Sequence, residues 1–138
     1  KAWLDHYGYR WMLHRPNPDM FSKQGVCIST AAGAGTKWTN KDMADSMFYW
    51  GMGKIYRYGT AVHAINYKSI SPEKMAEIEK ATDKLAEKIR KNYGHVKPGL
   101  KTKTYFEVMR KLVKSGWNEV DVAYWKEHGW TEKARPWK

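Results

Sequence analysis

The residues best placed to do chemistry form one glycine-rich turn, Ser29-Thr30-Ala31-Ala32-Gly33-Ala34-Gly35-Thr36. It lies between the apolar run Val26-Cys27-Ile28 and a helical segment. Open α/β sheets bind their ligands in such strand-to-helix turns, at the carboxyl ends of the strands. The small residues from Ala31 to Gly35 allow a flat or anionic ligand to approach the main chain closely. Backbone amides of Ala31 to Gly35 and the hydroxyls of Ser29, Thr30 and Thr36 are its polar groups. A nucleotide-binding phosphate loop is excluded, because Gly35 is followed by Thr36-Lys37 and the glycine spacing is wrong. A dinucleotide fingerprint is excluded too, since Trp38 stands where a third glycine belongs. Taken alone, the turn fits a ligand cradle and a tight structural turn equally.

Other chemistries find little support. His6, His14, His63, His95 and His128 have no metal-ligand spacing and no partner cysteines, which argues against a metal site. Cys27 is the single cysteine, so no intrachain disulfide can form and a reducing, cytoplasmic setting is expected. Flanked by Val26 and Ile28, its thiol reads as an inert core group. Carboxylates are sparse near the turn, and no Gly-x-Ser-x-Gly elbow is present. No catalytic side chain is therefore assigned. Binding by backbone and aromatic walls remains, the style of a site whose chemistry belongs to a cofactor.

The chain has 138 residues, enough for one domain with a core. Its net charge of +11 is spread evenly: nine basic and four acidic groups precede residue 71, and sixteen and ten follow. Lys and Arg alternate with Glu and Asp in the helices, as on solvated faces, so nucleic acid is not an expected partner. No apolar run approaches the roughly 18 residues of a membrane span, and no secretory signal precedes the first helix. The 8 Trp and 9 Tyr against 3 Phe suit core packing, subunit contacts or ligand walls.

Periodicity then supplies the elements. Trp3, Leu4, Tyr7, Trp11 and Met12 predict a helix over 1–13, opening without a cap, as if continuing from an earlier part of a larger domain. Arg15-Pro16-Asn17-Pro18 stops it. Residues 23–31 read as a strand buried on both faces. The next helix is expected from Thr39, with Asp42 in capping-box relation, Met43, Met47 and Phe48 inward, and Gly51 or Gly53 at its end. A second extended stretch spans 54–65, interrupted at Gly59, with Val62, Ala64 and Ile65 buried. Ser71 and Pro72 begin a helix to about Asn92, with the stripe Met75, Ile78, Thr82, Leu85 and Ile89, and Gly94 stops it. Strand, helix, strand, helix is the order of a parallel α/β sheet. Thr104 to Glu107 has capping-box spacing for a helix to Gly116 with Tyr105, Val108, Met109, Leu112 and Val113 as its apolar face. Asn118 caps one more, and a Trp-rich tail follows. This annex is too small to fold alone and must pack on the α/β body or on a neighbouring chain.

Three segments together resemble a known family: Met12-Leu13-His14-Arg15-Pro16-Asn17-Pro18, Ile28 to Gly35, and Asn40-Lys41-Asp42-Met43-Ala44-Asp45 through Trp50-Gly51. They are similar to the flavodoxin-like NAD(P)H-dependent oxidoreductases, more narrowly to the NADPH-dependent FMN reductase and quinone reductase group. Trp117-Asn118, Tyr124 to Trp130 and Arg135-Pro136-Trp137 resemble the C-terminal extension of one branch. The resemblance implies an α/β fold with a partial flavodoxin-like parallel sheet: residues 23–31 and 54–65 stand for the fourth and fifth strands. Residues 1–94 would be the C-terminal portion of that domain and 95–138 a helical extension. It further implies FMN as cofactor, NAD(P)H as co-substrate, and hydride passed through the flavin to a quinone or similar small-molecule acceptor. Ser29 to Thr36, the turn after the fourth strand, would lie against the isoalloxazine ring; the family's phosphate-cradling turn has no counterpart in the chain. The fourth strand's exposed edge invites pairing, so a homo-oligomer is expected. The rival expectation is a non-catalytic oligomerising remnant or interaction module without a complete FMN site.

Overall fold

A computed structural model describes residues 2–138; Lys1, included in the first expected helix, lies outside the described residues. The chain is mixed α/β, with a two-stranded parallel sheet and flanking helices. The first helix, α1 (Ala2–His6), is shorter than periodicity predicts and gives way to a 3-10 turn at Gly8–Arg10. Glycine is a weak helix former, and tertiary bonds take the chain elsewhere: the Met12 amide donates to the Tyr49 carbonyl at 2.6 Å. The Asn17 side chain accepts from the Asp19 amide and starts a second 3-10 turn, Pro18–Ser22, which buries Phe21.

The strands β1 (Gln24–Ala31) and β2 (Lys54–Ala61) run parallel in unbroken register from Gln24↔Lys54 to Ala31↔Ala61. Their crossover is α2 (Thr36–Tyr49). Gly59 does not interrupt β2, as the sequence suggests; it pairs with Ser29. Its role is close approach. A Cβ there would lie 2.7 Å from Thr36 Oγ1 and 2.9 Å from Asn40 Nδ2. Gly25 serves the other end, where a Cβ would collide with the sulfurs of Met52 and Met47. Gly25, Cys27, Ser29 and Gly59 thus share the sheet face on α2, since alternate strand residues point the same way. Burial on both faces does not hold for β1: Cys27 is buried, whereas Ile28 on the opposite face is 56% exposed.

Several helix limits differ from expectation. α2 starts at Thr36, because Gly35 takes φ 105° and caps it without a side chain. Thr39 is already inside the helix, its hydroxyl bonding back to the Gly35 carbonyl, so no Thr39–Asp42 capping pair forms. The buried residues of α2 are Asn40 and Ser46, with Met43, Met47 and Phe48 half-buried. Gly51 ends this segment at φ 86° with Phe21 packed against it, as a Cβ there would lie 2.6 Å from that ring. Beyond β2, Val62 and Ala64 are half-buried and Ile65 is fully exposed, contrary to expectation.

The helix α3 (Pro72–Asn92) has the predicted limits, with the Ser71 hydroxyl accepting from the Lys74 amide and Gly94 at φ 73°. Its stripe is only half-buried; polar bonds hold it to the sheet, with Gln24 Nε2 donating to the Ile89 carbonyl and Asn92 Nδ2 donating to the Tyr56 hydroxyl. The helix α4 (Leu100–Lys114) begins four residues before Thr104, which is therefore interior. Its buried face is Thr102, Phe106 and Val113, whereas Val108 and Leu112 are exposed. Asn118 caps α5 (Glu119–Glu127) as predicted, accepting from the Asp121 amide.

The core lies away from the sheet. Met12, Phe21, Phe106, Val113, Trp125 and Trp130 form one buried cluster, with Phe106 stacked on Trp125 at 4.7 Å between centroids. The annex thus packs on the 12–21 segment, and Phe48 and Trp137 close its margin. Among the described residues no helix is long and apolar enough to cross a membrane.

Candidate functional site

Parallel pairing carries β1 to the top of the sheet, where the chain leaves as the turn Ser29 to Thr36. Two bonds anchor it: the Val62 amide donates to the Ala31 carbonyl at 2.9 Å, and the His63 amide to the Ala32 carbonyl at 3.1 Å. At its far end the Gly35 carbonyl accepts from the amides of Trp38 and Thr39 and opens α2. Between these anchors the main chain is bare. Residues Ala32, Gly33, Ala34 and Gly35 are exposed, and a Cβ at Gly33 or Gly35 would meet no atom within 4 Å.

The structure brings the predicted residues together but turns their side chains differently. Ser29 faces α2, where its hydroxyl donates to the Thr36 carbonyl at 3.3 Å. Thr36 lies under Gly59. Thr30 is on the other sheet face, paired in register with Thr60. The turn's open side is therefore largely backbone and methyl groups. Its amides sit beside the N-terminus of α2, whose dipole favours negative charge, and the first turn of α2 has no acidic residue. Cys27 lies below, its Sγ 3.6 Å from Met47 Sδ. Burial pushes its thiol pKa up, against the opposing pull of Arg57, so it stays protonated at neutral pH.

A second group of residues carries no motif in the sequence. Thr36, Lys37, Asn40, Arg57 and Gly59 line a cavity of about 260 Å³ on the β2 side of α2. The one available signal was Asn40 at helical spacing from Thr36 and Met43, a polar residue on an otherwise inward stripe. Nothing in the sequence links Arg57 to it.

The His14-Arg15-Pro16 run does a different job, clasping α5. His14 Nδ1 is 2.8 Å from Asp121 Oδ2, Trp125 Nε1 donates to the His14 carbonyl at 2.6 Å, and the Tyr124 hydroxyl donates to the Pro16 carbonyl at 2.7 Å. Among the described residues no group of three His, Cys, Asp or Glu side chains could hold a metal ion. Comparison with protein-family models, with curated proteins and with solved structures finds no match.

Proposed function

We propose that this chain contributes the later part of a flavin-dependent NAD(P)H oxidoreductase, with Ser29 to Thr36 lying along the isoalloxazine ring of FMN. One observation carries the reading: the uncovered main chain at Gly33 and Gly35, where an added Cβ would meet no atom within 4 Å. The exposed turn fits a flat group resting against it. When bound, the flavin would supply hydride transfer between NAD(P)H and a quinone or similar small-molecule acceptor. The amides of Gly33 to Gly35, at the positive end of α2, would orient the ring and favour negative charge beside them. No side-chain acid or base is assigned.

Titration of FMN with the purified chain tests this. Quenching of flavin fluorescence, followed by bleaching on addition of NADPH, is the expected result; a colourless protein that leaves FMN fluorescence unchanged overturns it.

A second reading, an oligomerising module without redox activity, is favoured by the sheet itself. β1 pairs on one edge only and carries no charged residue, whereas β2 carries Lys54 and Arg57. Charges blunt an edge against pairing, so β1 is the edge that would accept another strand. Light scattering at micromolar concentration together with the FMN titration decides it: a homo-oligomer that leaves FMN fluorescence unchanged supports the reading, and a sharp monomer peak removes it.

A further inference from the structure

We propose that the cavity between the N-terminus of α2 and β2 is a phosphate-binding site, which meets the exposed turn at Thr36 and does not depend on flavin being bound there. Its lining is Thr36, Lys37, Asn40, Arg57 and Gly59, two cations and no carboxylate. Among the described residues neither Lys37 nor Arg57 takes part in an ion pair. Both side chains are exposed at the rim, where Lys37 Nζ lies 5.7 Å from the centre of the Trp38 ring. The α2 N-terminus adds its positive end, since Gly35 supplies no side-chain cap.

The floor gives the independent sign of a ligand. Asn40 is only 3% exposed and lines the cavity; its Nδ2 donates to the Tyr58 carbonyl at 2.9 Å, yet its Oδ1 is buried without any partner. A buried unpaired acceptor is costly, and native structures rarely leave one without a use. Cations and amides donate to an anion's oxygens, but Asn40 Oδ1 needs a donor. A phosphate with an adjacent O–H satisfies both demands: inorganic phosphate through its own P–OH, or a nucleotide monophosphate through a ribose hydroxyl. Gly59 makes the arrangement possible by letting Thr36 and Asn40 come against β2, where any Cβ would collide with both.

The test is titration of the full chain with inorganic phosphate and, separately, with AMP, followed by calorimetry and by amide shifts of Thr36 to Asn40. Saturable binding of at least one is expected, with AMP tighter if the natural group is a nucleotide and inorganic phosphate tighter if it is the free ion. Lys37→Gln and Arg57→Gln should each weaken binding about tenfold, the loss of one charge-assisted contact. Lys80→Gln, an exposed charge on α3, should leave it within about twofold, the behaviour of a distant screened charge. Because Lys37 and Arg57 are exposed, the variants should retain the wild-type circular dichroism and melting curve. Absence of saturable binding of either probe near 10 mM, weaker than roughly 3 kcal/mol of affinity, overturns the proposal. Equal weakening by Lys80→Gln also overturns it, since binding would then follow net charge alone. A negative FMN titration leaves this site standing, and a negative phosphate titration leaves the flavin reading standing.

Discussion

The turn after β1 and the aromatic cluster around Phe106 are opposite solutions within one chain. In the cluster, Phe106, Trp125 and Met12 are inaccessible to solvent and ring packs on ring. At the turn, four successive residues are exposed and a Cβ added at either of two glycines would meet open space. A two-stranded sheet is marginal by itself, so stability must come from elsewhere. Phe21 joins the two regions. Its ring packs on Phe106 and over Gly51, and its carbonyl lies where a Cβ of Gly53 would stand, at the entry to β2. Separating the stable part from the bare part lets backbone stay uncovered without loosening the fold.

That contrast can be broken most severely at Trp125. Trp125→Ala removes the stacked partner of Phe106 and the donor to the His14 carbonyl, and should destabilise by about 3–5 kcal/mol in urea unfolding. A loss below about 1 kcal/mol, the level of a typical surface change, would show that the cluster is not the main source of stability.

Next comes the clasp. Asp121 is buried and accepts from His14, with Arg15 Nε 3.4 Å away. Asp121→Ala should cost about 2 kcal/mol, the range for hydrogen bonds to charged groups. Faster proteolysis between α4 and α5 than at the turn should accompany it, and the reverse order would place the weak point in the sheet.

Glu107 gives a smaller effect with a definite pH sign. Burial alone would raise its pKa, but the hydrogen bonds and charges of Arg135 and Arg110 outweigh burial and hold it below the ordinary value of 4.5. A depressed carboxylate pKa means stability that is fully present above 4.5 and lost as pH falls below it through the folded-state value. Glu107→Gln should therefore flatten the acid limb of the stability profile and lower stability slightly at pH 7. An unchanged acid limb would mean these bonds contribute nothing.

The smallest effect on stability is expected at the turn. Gly33 is not held at positive φ and a Cβ there meets open space. Gly33→Ala should shift stability by less than about 0.5 kcal/mol, while the added methyl weakens flavin quenching by occupying the ligand's side. Unaltered quenching would move the ring away from Gly33.

Much of the backbone was legible locally. Ser71, Pro72 and Gly94 frame α3, and Asn118 starts α5, because capping and left-handed stops involve residues only a few positions apart. Thr39 and Thr104 misled for the converse reason. Both have good capping chemistry, but Gly35 and Gly99 start their helices earlier through backbone conformation alone. Phe106 falls inside a stretch with capping-box spacing yet is core, and Ile28, Ile65, Val108 and Leu112, which the apolar pattern would cover, are exposed. Periodicity tells which residues share a face; whether anything covers that face is decided by the rest of the chain.

By itself, then, the sequence determined the order strand, glycine turn, helix, strand, and it placed Ser29 to Thr36 in that turn. These are properties of neighbouring residues: alternation, small side chains and caps. Only the tertiary structure decided that Asn40, Arg57 and Lys37 surround one cavity, and that His14 meets Asp121 across 107 positions. Such meetings depend on how closely α2 and α5 dock, which the bare Cα of Gly59 and the fit of Trp125 against Phe106 set in three dimensions.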